Sequence, residues 1–283
     1  QRFFSTVPKD TLNVAILRLL GNQFIAAVCR GALEWCTAGG RRILLGLDEE
    51  CRGRGGPYAP LERVDCSHVE KVCLGRYGRA TPEACAEVLA ACAAAGTLRC
   101  VYCKLTGMGT RLGELAPRLS LRRAKLHQCR LEASDVVQLL RCAEQLEAID
   151  IFGENLAGLG EQIYTAALRC PALRSLELND CGLSAGDAAA ALGCASGGLR
   201  SVHLQASDLH GLRVPLMPEL KTLTLLDCHL SQEDAAAVAA RCPELEALSL
   251  CGNPLGCSAC GSPWPALSRL RSADFRGCEL DSE

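Results

Sequence analysis

Residues 245–255, L-E-A-L-S-L-C-G-N-P-L, place leucine at the first, fourth, sixth and eleventh positions and asparagine at the ninth. The alternation of Leu248 and Leu250 is that of a short strand buried on one face, with Ala247, Ser249 and Cys251 pointing the other way. The same spacing recurs with first positions Val69, Leu98, Leu121, Leu146, Leu173, Leu199, Leu220, Leu245 and Leu270, at intervals of 29, 23, 25, 27, 26, 21, 25 and 25 residues. The ninth position, expected to turn inward after each strand, holds Tyr77, Thr106, Cys129, Glu154, Cys181, Ser207, Cys228, Asn253 and Cys278, with Tyr77 and Glu154 the degenerate members. A unit of this size cannot bury its apolar edge alone, so consecutive units must stack.

The pattern L-x-x-L-x-L-x-x-N/C-x-L resembles the leucine-rich repeat, and R-C-P-x-L-x-x-L-x-L, at Cys170 and Cys242, resembles its cysteine-containing subclass. That resemblance implies an α/β fold: a curved solenoid with a parallel concave sheet and convex helices. Segments between strands agree. Residues 132–142 and 231–243 read as helices, and Ser231 followed by Asp234 approximates a capping box. Residues 210–218 contain Pro215 and Pro218 in a repeat of only 21 residues, too few backbone donors for a full helix, so an extended loop is expected there. The repeat domain covers residues 61–283, about nine repeats. Residues 1–60 read as a presequence remnant and helical cap: Leu12, Ile16, Leu19 and Leu20 share one helix face, residues 43–45 form a first strand, and residues 52–60 an exposed loop.

Composition narrows the function. A net charge of −2 gives no global attraction to nucleic acid or anionic lipid. No window reaches about 18 uncharged apolar residues, so no transmembrane span is expected. Twenty cysteines would suit a secreted disulfide scaffold, but many recur at fixed repeat positions where a small buried thiol packs as an apolar group, and a reducing compartment fits better.

No catalytic signature is present: no phosphate loop, no dinucleotide fingerprint, no H-E-x-x-H and no G-x-S-x-G. No catalytic residue and no cofactor are expected. Cys257 and Cys260 have the C-x-x-C spacing that clips zinc or forms a redox pair, but only one such pair lies in that insertion, and the expectation is an ordinary loop without metal. Cys100 and Cys103 form a second C-x-x-C, expected on opposite faces of a strand. The candidate binding surface is therefore the outward face of the strands. Its residues are Tyr102, Lys104, Arg123, Lys125, His127, Asp150, Phe152, Glu177 and Leu226, joined by Asn179, His203, Gln205, Thr224, Ser249, Asp274 and Arg276. A basic zone around residues 122–130 gives way to acidic Asp150 and Glu177, and Phe152 and Leu226 are candidate anchors. Such a mixed face suits a protein partner; nucleic acid would favour a continuous basic stripe with aromatics.

Outside the repeats, residues 32–43 (A-L-E-W-C-T-A-G-G-R-R-I) and 68–77 (H-V-E-K-V-C-L-G-R-Y) are similar to the mitochondrial family of ATP synthase subunit s (coupling factor B) and distal membrane-arm assembly component 2, as are Glu83, Cys85 and Leu89 in the helix that follows. The chain carries more repeats than the small proteins of that family. The resemblance implies a non-catalytic mitochondrial protein on the matrix side of the inner membrane, an accessory or assembly subunit of an oxidative-phosphorylation complex, with protein subunits as partners and no small-molecule substrate. Arg2-Phe3-Phe4-Ser5 resembles the end of a mitochondrial targeting presequence. Two alternatives remain. Val7-Pro8, Leu12, Ile16, Leu20 and Val28-Cys29-Arg30 resemble an F-box, which implies a ubiquitin-ligase adaptor, and the basic zone would suit a mitochondrial-ribosome-associated protein.

Overall fold

A computed structural model describes residues 42–45, 71–75, 82–115, 120–142, 144–256 and 264–280. The helical cap expected over residues 1–60, apart from one strand within it, lies outside the described residues. Ten strands form one sheet in which every neighbouring pair is parallel and the order across the sheet is the order along the chain. They are β1 (Arg42–Leu45), β2 (Lys71–Gly75), β3 (Thr97–Val101), β4 (Arg123–His127), β5 (Ala148–Phe152), β6 (Ser175–Asn179), β7 (Ser201–Gln205), β8 (Thr222–Leu226), β9 (Ala247–Ser249) and β10 (Ser272–Asp274). Six helices among the described residues connect them: α1 (Pro82–Ala91), α2 (Met108–Leu115), α3 (Ala133–Cys142), α4 (Leu159–Thr165), α5 (Ala185–Ala195) and α6 (Gln232–Ala239). Consecutive helices from α1 to α5 pack on one another, so the α/β class with a parallel sheet is as expected.

Inward strand residues and the buried sides of the helices join in a single core. Leu98, Cys100, Leu126, Ile149, Ile151, Leu178, Val202 and Leu204 all lie in it. Between β7 and β8 no helix forms; Leu209, Leu212, Val214 and Met217 fill the core from an extended chain, as the two prolines dictate.

The register corrects the second repeat. Leu98 pairs with Val72 on one side and Ala124 on the other, which makes it the fourth position of its repeat, not the first. Val72, Leu98 and Ala124 are then evenly spaced 26 residues apart, replacing the uneven 29 and 23. A backbone feature fixes this register. Tyr102, Gln128, Gly153, Asp180, Ala206, Asp227, Gly252 and Gly277 each occupy the eighth position, and each has a positive φ, between 51° and 72°. A left-handed residue breaks the two-residue alternation, so the next side chain turns inward. Cys103, not Thr106, is therefore the inward ninth residue; Thr106 is exposed. Cys100 and Cys103 consequently face the same interior and not opposite sides.

Asn253 and Glu154 do equivalent work at that position. Asn253 Oδ1 accepts from the Cys228 and Leu230 amides at 3.0 and 3.1 Å, while its Nδ2 donates to the Leu225 and Leu250 carbonyls. The carboxylate of Glu154, 5% exposed, accepts from the equivalent amides of Cys129 and Leu131. Sequence alone made Glu154 a lapse from the pattern; it is a satisfied member of it. Burial raises its pKa, against the lowering effect of these amides. At the cysteine positions the thiol donates to carbonyls instead, as from Cys181 to Asn179 O (3.3 Å) and Cys228 to Leu226 O (3.2 Å). Burial pushes the Cys181 and Cys228 thiols up to about 12, so they stay protonated packing groups.

A second buried acid ties the helices together. Asp135 accepts from the amides of Gly107, Gly109 and Glu132, and Asp187 from those of Gly160 and Ser184 and from the Ser184 hydroxyl. Each caps its own helix and the start of the preceding one. Gly109 and Gly160 permit the approach: a Cβ there would sit 2.8 Å from Gln138 Cβ and 3.0 Å from Asp187 Cα respectively. In α6 the capping box of Ser231 and Asp234 forms as expected. The helix that would precede it is missing, and Arg213 and His210 approach Asp234 at 3.1 and 3.2 Å in its place.

Two outcomes follow from these buried acids. Glu154→Asn restores the double acceptor with two new donors and no charge, so thermal or urea unfolding at pH 7 should show a gain of about 1 kcal/mol, whereas Glu154→Ala should lose about 1–3 kcal/mol. Because the folded pKa of Glu154 is raised, its carboxylate detracts from stability as pH rises past that value, and the gain in Glu154→Asn should shrink at pH 4. Asp187 and Asp234 act in the opposite sense. Burial raises their pKa values, but hydrogen bonds from Gly160 and Ser184, and from Gly211, Ser231 and Arg213, outweigh it and hold both carboxyls below the usual range. Their contribution is present above about pH 4 and is lost as pH falls through the lowered values, so Asp234→Asn should flatten the acid limb of a stability–pH curve.

Candidate functional site

One face of the sheet carries the core; the other is not covered by any described element. Its geometry is three rows of side chains running across the strands. The first row reads Lys71, Thr97, Arg123, Ala148, Ser175, Ser201, Thr222, Ala247 and Ser272; the second Arg99, Lys125, Asp150, Glu177, His203, Thr224, Ser249 and Asp274; the third Val101, His127, Phe152, Asn179, Gln205 and Leu226. Small and β-branched residues dominate the first row, which keeps the strand surface accessible for backbone-close contact.

The expected residues Arg123, Lys125, His127, Asp150, Phe152, Glu177 and Leu226 all stand on this face. Asp150 is its electrostatic centre: Lys125 Nζ lies 2.5 Å from one carboxylate oxygen and His127 Nε2 2.9 Å from the other. His127 also packs against Phe152, ring centroids 5.7 Å apart at 54°. Phe152 is thus held by its neighbour while its outer edge stays exposed. On the next two strands, Asn179 Oδ1 and His203 Nε2 are buried without a hydrogen-bond partner. Buried polar atoms in a folded protein are normally satisfied, so these two are exceptions among the described residues of this face.

Tyr102 and Lys104 are corrected. The shifted register removes them from the strand, and Arg99 and Val101 take the outward positions expected for them. Tyr102 is the left-handed residue that ends β3, 57% exposed, and Lys104 is exposed on the turn beyond it. They line a groove of about 940 Å³ along the strand ends, with Arg130, Gln128 and Asn155. Arg99 was missed by the same three-residue shift. The signal that finds it is the triplet C-x-L: Cys103-Lys104-Leu105, Cys129-Arg130-Leu131, Cys181-Gly182-Leu183 and Cys228-His229-Leu230 occupy one register.

Cys257 and Cys260 lie outside the described residues. Among the described residues no group of three or more histidine, cysteine or acidic side chains is arranged to hold a metal ion, and no helix is long and apolar enough to cross a membrane. The described cysteine side chains are free thiols, all buried except the half-buried Cys251.

The division between faces predicts a sharp contrast in neighbouring residues. Ile151→Ala, at a fully buried position, should cost about 2–5 kcal/mol in urea unfolding. Phe152→Ala, one residue on and turned to the open face, should cost less than about 1 kcal/mol. Neither a protein-family model nor a curated protein sequence matches the chain.

Proposed function

We propose that this chain is a leucine-rich-repeat solenoid that binds protein, serving without catalysis as an accessory or assembly subunit of a mitochondrial inner-membrane oxidative-phosphorylation complex. The observation that carries the binding role is the open sheet face. Across its middle it combines an exposed, braced aromatic (Phe152), a charged cluster around Asp150 and two unsatisfied buried polar atoms. An exposed aromatic anchor ringed by polar and charged side chains is the composition of a protein interface. The mitochondrial assignment is supported by the resemblance of residues 32–43 and 68–77 and by the presequence-like residues 2–5.

Native gel electrophoresis of mitochondria from cells expressing the tagged chain tests both parts. The protein should migrate with a species far larger than its own 30.1 kDa. The Phe152→Asp/Leu226→Asp variant should fold normally and shift to the free position. Migration only as a free species would sink the assembly role, and co-migration of the double variant would move the interface away from this face.

A further inference from the structure

The open face is electrically uneven in a way the chain as a whole is not. The molecule carries a formal charge of −2, yet β3 and β4 present Arg99, Arg123 and Lys125 side by side. Arg99 and Lys125 are register partners, about 5 Å apart between strands, and Arg123 follows on the same face of β4 about 7 Å away. Lys125 is engaged by Asp150. Arg99 and Arg123, both exposed, make no ion pair or hydrogen bond among the described residues. The same holds for the charged ends of Lys104 and Arg130, which stand where β3 and β4 end, beside the exposed ring of Tyr102. Among the described residues, Asp150 is held by Lys125 and His127, Glu147 pairs with Arg122 and Glu154 is buried against backbone amides, while Glu132 stands in the groove with Lys104 and Arg130. Arg99 and Arg123 are therefore left without a counter-charge among the described residues of a slightly acidic protein.

We propose that this zone is the docking site for a short acidic segment, rich in aspartate or glutamate, of a partner protein. This deepens the protein-binding reading above and rests on it. The guanidinium forks of Arg99 and Arg123 accept carboxylates in paired, charge-assisted hydrogen bonds. The zone is two to three strands wide, so an extended segment of about four or five residues crosses it. Glu177 on β6 closes the far side with negative charge, and the strands beyond, with Ser201, His203, Gln205, Thr222 and Thr224, present no lysine or arginine on these rows. A long polyanion running the length of the face would meet that border, and among its described residues the exposed large aromatic rings are Tyr102 and Phe152; both features favour a short acidic peptide over RNA.

The test uses the full chain and a fluorescein-labelled ten-residue peptide of alternating aspartate and glutamate, with a uridine decamer and phosphatidylserine vesicles as competing probes. The peptide should bind at low salt and weaken steadily as salt rises. Arg99→Glu/Arg123→Glu should reduce its affinity by about tenfold or more. Arg200→Glu/Arg241→Glu, a control at exposed arginines off these rows, should leave it unchanged. The milder Arg99→Gln/Arg123→Gln pair, checked by thermal melting, should give an intermediate loss in a protein that melts as the parent does. Equal binding by parent and charge-reversed protein, or stronger binding of the decamer or the vesicles than of the peptide, overturns the proposal. The two readings fail separately. A chain that co-migrates with a large complex while its peptide binding ignores Arg99 and Arg123 loses only this inference. One that binds the peptide through them yet migrates free in mitochondria loses only the assembly role.

Discussion

The structure depends on the left-handed residue that follows each strand from β3 to β10. A left-handed residue there, whether Gly153 or the sterically less suited Tyr102, ends the alternation and swings the following side chain under the sheet. The amides of the turn are thereby carried towards the interior, where each needs an acceptor. The neighbouring repeat supplies many of them. The Tyr102, Gln128 and Gly153 amides donate to the carbonyls of His127, Phe152 and Asn179, and those of Leu105, Leu156 and Leu209 to Cys129, Cys181 and Cys228. Where a carbonyl does not reach, the ninth side chain does, as Asn253 and Glu154 show. Among the described residues, many of these turn amides are satisfied by the neighbouring repeat and not by their own, so the repeats stabilise one another. The parallel order of the sheet follows from that dependence.

The helix layer obeys the same logic with a different acceptor. A buried aspartate on the first turn of one helix takes the free amides of its own start and of its predecessor's, which locks helix to helix as the ladder locks strand to strand. The repeat with two prolines tests this rule, because it has no helix and meets Asp234 with an extended chain. Asp234 remains buried there, held by the Gly211 amide and by a guanidinium and an imidazole from that same segment. That substitution explains how a repeat of 21 residues fits among repeats of 25 to 27 without interrupting the core.

Much of this was legible in the sequence. Inward leucines two residues apart gave nearly all the strands, and Ser231 with Asp234 gave a helix start, because both are local patterns imposed by backbone geometry. The second repeat was misplaced because Leu98 satisfies the pattern in either of two registers. Nothing in a propensity scale marks Tyr102 as left-handed, since the conformation is forced by the ladder on either side. Glu154 looked like a flaw because a carboxylate and a carboxamide differ in sequence but offer the same acceptor to two amides. Most of the outward residues were found because period-two alternation settles both faces at once. The consequence that did not follow was Arg99, whose place depends on the misplaced register, and with it the continuity of positive charge from β3 to β4.

That continuity separates stability from recognition. Register in a sheet with one buried face is set by the inward residues, since a slip of one would put Leu98 and Cys100 into water. The outward residues are therefore released from specifying the fold. Like charges on adjacent strands disfavour the isolated protein by only a few tenths of a kcal/mol to about 1 kcal/mol, little beside a core running through most of the described repeats. A surface that tolerates Arg99 beside Lys125 can keep the pair for a use the free protein does not make of it. Complementary charge on a partner would relieve that repulsion and confer choice of partner more than strength of binding. On the proposed protein-binding role, the apolar edge of Phe152, two strands away, would supply the contact that choice alone does not.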